Sequence, residues 1–226
     1  MLGDVNLLPN SLPSLRTLST SSALSAGLLG AIFAAAGPCL TDISITNGQA
    51  VKTALRLLEE NDCAWAPTLQ SLLLYWQEEQ EEYEGDGELP LDLDTPRHVV
   101  KALARLPALR SLELFPREPD ELVVRLLALA EGGGLQSLAT LMVDDECGPA
   151  LTAGAVLLLL LWLKREAKKA LEGEGKGALW DVKVMASLLD DMHPSIKQIT
   201  ETHLSQLKEA HTQISKARGE EVVVVA

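Results

Sequence analysis

Four histidines, His98, His193, His203 and His211, are the side chains of this 226-residue chain best suited to metal ligation or proton transfer near neutral pH. Asp190 and Asp191 stand just before His193, but no cysteine lies near. His203 and His211 are eight residues apart on a segment that reads as a helix. Solvated helix residues describe them better than ligands, and no metal site is expected. Cys39, Cys63 and Cys147 form an odd set, with no CxxC and no histidine at zinc spacing. They read as reduced, mostly buried thiols, as in an intracellular, cytoplasmic protein. No GxSxG elbow presents a nucleophile. The string GEGKG at 173–177 follows Lys176 with glycine where a phosphate loop needs Ser or Thr, so it reads as a flexible connector. No catalytic residue and no cofactor is expected; an enzyme, the minor alternative, would need a pocket of converging titratable groups.

Binding chemistry is better represented. The 32 acidic residues outnumber the 19 basic ones, giving a net charge of −13, and that field repels a phosphate backbone. Nucleic acid is therefore excluded as a partner. Residues 151–226 carry ten bases and ten acids, so the whole excess belongs to residues 1–150. Half the story is one stretch, residues 77–94, with nine carboxylates and no base. Such a run stays solvated and flexible. It is read either as an inert loop or as an arm that steers a partner with a basic surface, and Tyr83 within it is a possible docking or modification point.

The elements that must position these groups follow from a recurring frame. LPSLRTLST (12–20), PCLTDISIT (38–46), PTLQSLLLY (67–75), LPALRSLEL (106–114) and LQSLATLMV (135–143) align on Leu15, Leu40, Leu69, Leu109 and Leu138. The fourth positions are Leu18, Ile43, Leu72, Leu112 and Leu141, and the sixth are Thr20, Ile45, Leu74, Leu114 and Val143. Alternation of period two marks strands with one buried face. The anchors are spaced by 25, 29, 40 and 29 residues, and the long interval contains the acidic stretch. LWDVKV repeats the pattern with Leu179, Val182 and Val184, the intervening excess being KREAKKALEGEGKG. Helix signals fall between the strands. Asn47 can cap a helix bearing Val51, Leu55 and Leu58; Thr95 and Pro96 precede Val99, Leu103 and Leu106; Pro119 opens Leu122 to Leu129, and Pro149 opens the leucine run. Gly132, Gly133 and Gly134 stop the fourth helix.

This frame resembles the leucine-rich repeat family, in its long strand-helix, ribonuclease-inhibitor-like form, over residues 12–190. Leu106, Leu109, Leu112 and Leu114 match LxxLxxLxL fully, and Leu135, Leu138, Leu141 and Val143 nearly. The Asn or Cys ladder of that family is missing: the corresponding positions are Ala23, Gly48, Gln77, Arg117 and Glu146. The resemblance implies an α/β solenoid of five or six strand-helix units with a parallel sheet, irregular in its turns. An ordinary α/β sandwich and an all-helical solenoid are the competing architectures. It further implies a protein partner on the concave strand face, formed by the third, fifth and seventh positions of each unit. In the middle units these bring Leu73, Tyr75, Phe115 and Met142 beside Glu113 and Asp144, apolar anchors with a polar rim. The chain then reads as a non-enzymatic protein-protein interaction scaffold, or as a fragment of a larger repeat-containing adaptor.

Residues 191–226 form a second region. Pro194 to Arg218 sets Ile196, Ile199, His203, Leu207, Ala210, Ile214 and Ala217 along one helical face, a cap for the last repeat or an arm for another partner. GEEVVVVA follows as a terminal strand through which the chain could self-associate. The most apolar run, Ala150 to Leu163, has 14 residues, short of the roughly 20 a bilayer requires, so no membrane span is expected. Ala23 to Leu40, interrupted by glycines and Pro38, admits a signal-peptide reading but is only weakly of that type.

Overall fold

The computed structural model describes residues 7–22, 24–60, 65–75, 96–115, 119–143, 152–172, 181–183 and 194–218. Strands and helices alternate: β1 (Thr17–Thr20), α1 (Ala26–Ala36), β2 (Asp42–Ile45), α2 (Gly48–Glu60), β3 (Ser71–Tyr75), α3 (Pro96–Leu103) and β4 (Ser111–Phe115). They continue with α4 (Pro119–Glu131), β5 (Thr140–Val143), α5 (Ala153–Leu171), β6 (Asp181–Lys183) and a long helix, α6 (Pro194–Arg218). The fold is α/β. All strand pairs are parallel, and the sheet order β1-β2-β3-β4-β5-β6 is the order of the chain.

The register follows from the alternation of side chains. Leu18, Ile43, Leu72, Leu112, Leu141 and Val182 are successive partners across the sheet. Ile43, Leu72, Leu112 and Leu141 are buried against the helices, as are Ile45, Leu74, Leu114 and Val143 two residues on. A one-residue slip in any strand would send these apolar side chains to the open face, so burial of one face fixes the pairing. The core lies between the sheet and the helices and is almost wholly Leu, Val, Ile and Ala; its aromatic members are Phe33, Trp65 and Trp162. Phe33 and Trp65 meet at a centroid separation of 4.6 Å.

The leucines ahead of each strand are not strand residues. Leu109 N–H donates to Leu106 O and Leu138 N–H to Leu135 O, so each LxxL closes a tight turn with both leucines buried. After that turn, one main-chain arrangement recurs four times. The carbonyls of Arg16, Thr41, Gln70 and Arg110 each accept two N–H groups from the start of the next strand, at 2.8 to 3.0 Å. Backbone groups thus satisfy one another at the entry to these strands.

The helices are set by their caps. Asn47 Oδ1 accepts from Ala50 N–H at 3.1 Å, and Val51, Leu55 and Leu58 of α2 are buried. Pro119 opens α4, which ends where Gly132 and Gly134 N–H return to the carbonyls of Ala128 and Leu129. Gly133 has φ +85°, and a Cβ on Gly134 would meet Leu129 Cδ1 at 2.6 Å, so these two positions require glycine.

Several expectations are corrected. Thr152, not Pro149, caps α5: its Oγ1 accepts from Ala155 N–H, and Pro149 lies outside the described residues. The lysine-rich KREAKKAL is not connector but the continuation of α5 to Leu171; its charges at Lys164, Arg165 and Lys168 occupy the exposed face. Leu106 is buried in the turn after α3, not on the helix. Cys39, at the end of a short 3₁₀ turn, is half-buried, and Cys63 and Cys147 are outside the described residues. On α6, Ile199 points outward at 48% exposure while Thr200 is fully buried, because Thr200 Oγ1 donates to Ile196 O and so needs no water. The inward face therefore runs through Thr200, Leu204, Leu207 and Ile214, and Lys197 is half-buried. Helix α6 packs along α5, with Lys164 Nζ donating to Gln206 Oε1 at 2.7 Å. The string at 173–177, Val184 at the sixth position of the last unit, and residues 219–226 lie outside the described residues.

Candidate functional site

Because Leu72, Leu74, Leu112 and Leu114 are turned into the core, their strand neighbours project from the other face of the sheet. Three rows of outward positions result. The first is Thr17, Asp42, Ser71, Ser111 and Thr140; the second is Ser19, Ser44, Leu73, Glu113 and Met142. Tyr75 and Phe115 pair in the third. The hydroxyl-rich first row forms a polar edge, on which Thr41 Oγ1 donates to Asp42 Oδ2 at 2.6 Å.

Five of the six residues singled out in the sequence meet here. Leu73, Glu113 and Met142 are consecutive across β3, β4 and β5, and all are half-buried. The rings of Tyr75 and Phe115, also half-buried, lie edge to face at 5.0 Å. Their contact is the favourable aromatic geometry, and it presents apolar area without the entropy of long flexible chains. Asp144, the sixth, lies outside the described residues, as does the acidic stretch 77–94. Among the described residues neither a base nor a hydrogen-bond donor partners the Glu113 carboxylate.

The remaining titratable groups are placed differently. His98 Nδ1 lies 3.0 Å from Glu59 Oε2, tying α3 to α2. His203 Nδ1 is buried without a partner on α6, while His193 is outside the described residues. Among the described residues no three His, Cys, Asp or Glu side chains gather as a metal site would need, and no helix is long and apolar enough to cross a membrane.

A second arrangement was not legible in the sequence. At the end of α4, Glu131 pairs with Arg165 of α5, Arg165 Nε reaches Glu166 at 3.5 Å, and Glu166 holds Lys169 at 2.7 Å. The Arg165 guanidinium holds the Glu131 carboxyl below its ordinary range, first by hydrogen bond and then by charge, and the Trp162 indole N–H adds to the effect. In return Glu131 raises the Arg165 pKa. These residues line a groove of about 670 Å³ beside Gly133, Gly134 and Gln136. Its charged groups pair with one another, and the Glu131–Arg165 pair joins the two helices. Only i to i+3 and i to i+4 spacing is readable from sequence, and Glu131 and Arg165 are 34 residues apart.

No known family model, curated protein or solved structure matches this chain.

Proposed function

We propose that the protein is a non-enzymatic interaction module of the leucine-rich repeat type, a strand-helix solenoid that binds a protein partner on the open face of its parallel sheet. The observation that carries this reading is the cluster of Leu73, Tyr75, Glu113, Phe115 and Met142, brought into adjoining register positions on the face opposite the core. These residues give the fold no burial on the helix side, yet they place apolar and aromatic surface beside a carboxylate. Aromatic and Met anchors with a polar rim are the composition of binding hot spots. The acidic stretch 77–94 begins two residues after Tyr75, where its field would draw a basic partner toward the same face. A parallel sheet in chain order and the recurrent backbone bonds ahead of each strand agree with a repeat architecture.

The test is an affinity capture with the intact chain and with the Tyr75→Ala, Phe115→Ala double variant, both checked by circular dichroism. The reading expects a protein retained by the intact chain and lost with the variant at unchanged secondary structure. Equal retention by both would move the site off this face.

A further inference from the structure

We infer that the open sheet face recognises a guanidinium, that of an arginine in the partner's peptide chain, held between the Glu113 carboxylate and the Tyr75–Phe115 ring pair. This rests on the reading of that face as the binding surface and specifies the chemistry it selects. Glu113 is flanked in register by Leu73 on one side and Met142 on the other, so its carboxylate stands between two apolar neighbours. It is half-buried, and among the described residues no cation or donor meets it. A carboxylate partly withdrawn from water and left unpaired gains most from a ligand that supplies the missing charge and donors.

The rings sit within reach of the same ligand. Phe115 is two residues beyond Glu113 on β4, about 6.6 Å along the strand, and Tyr75 is diagonal to Glu113 on β3 at about 8 Å between backbones. A planar group that forks onto a carboxylate while stacking on a ring fits that spacing. Arginine has this combination: a bidentate donor fork, a face that lies on aromatic rings, and weaker hydration than an ammonium. Lysine offers only a point charge. The net charge of −13 favours a cation's approach over an anion's, and the apolar row of Leu73 and Met142 can cover the methylene stem.

The experiment uses the full chain and two blocked, labelled hexapeptides of alternating leucine and arginine or leucine and citrulline, which differ only in charge and one donor set. Fluorescence anisotropy is read near physiological salt, where long-range attraction to the acidic stretch is screened. The arginine peptide is expected to bind at least about tenfold more tightly than the citrulline peptide. Glu113→Gln should erase that preference, while a chain lacking residues 77–94 should keep it. If Glu113→Gln leaves the preference intact, or the arginine peptide does not bind, the inference is overturned. Should both peptides bind equally and both be lost with the Tyr75→Ala, Phe115→Ala variant, the guanidinium site fails and the working face stands. Binding of both that the double variant does not alter would overturn the guanidinium site and the reading of the face together.

Discussion

Leu112 and Glu113 are neighbours in the chain and opposites in what they do. Leu112 is fully buried among core residues of adjoining strands, while Glu113 contributes to the open face. Leu112→Ala removes buried methyl groups and leaves a cavity, and should cost about 2–5 kcal/mol of unfolding free energy by denaturant titration. Glu113→Ala should stay within about 0.5 kcal/mol. Equal losses at the two sites would mean that the alternation does not set the core. Glu131 supports a prediction about pH. Its carboxyl is held below the ordinary range in the fold, so the charged form favours the folded chain above that range, and this contribution disappears as pH falls through the lowered value. Glu131→Gln should therefore separate from the parent in thermal midpoint above the carboxylate range and converge with it in acid. A constant separation across pH would show that the lost contact is not ionic. The Glu131 carboxyl is exposed, so the gap should be small.

Helix α6 tests how the outer side of α5 is protected. Leu207 and Ile214 are buried where α6 lies along α5, and Leu204 and Ala210 pack beside them. Ending the chain after Asp191 removes these contacts and leaves their apolar seats on α5 in water. The shortened chain should melt at least several degrees earlier and aggregate at concentrations where the parent does not, measured by calorimetry and light scattering. An unchanged midpoint would make α6 an arm with no share in the fold. The strands of this architecture were plain in the sequence because period two survives any spacing between units; Leu112 and Leu114 read correctly without knowledge of their partners. Helix α1 was hidden by Gly27, Gly30 and the Gly37–Pro38 stop, although Ser25 caps it through Leu28 N–H. The last part of α5 was misread since lysines on an exposed face look like linker composition. The doubly accepting carbonyls of Arg16, Thr41, Gln70 and Arg110 leave no trace in side-chain identity, so this recurrent entry to the strands could come only from the structure. In the candidate site, alternation told which residues face outward, but the 5.0 Å contact of Tyr75 with Phe115 needed the register.

Over the whole chain, charge and apolar surface are distributed separately. The neutral third, residues 151–226, supplies α5 and α6, while the acidic excess lies in the part that builds β1 to β5. The nine carboxylates of 77–94 interrupt the connection from β3 to α3, and removing them would leave Trp76 and Thr95 between the two elements. Two residues, Thr46 and Asn47, join β2 to α2 in the same way, and Asn47 caps its helix as Thr95 could. The deletion should thus change the melting temperature by no more than a few degrees, since closure entropy varies slowly with length. A larger fall would show that the segment packs against the fold. The central claim is that the partner lies on the open sheet face. A photoreactive benzoylphenylalanine at position 115, compared with one at the exposed helical position 97, tests it most directly. The account predicts a cross-linked protein partner from position 115 and none from position 97. Cross-linking from 97 with none from 115 would put the partner on the helices and contradict it.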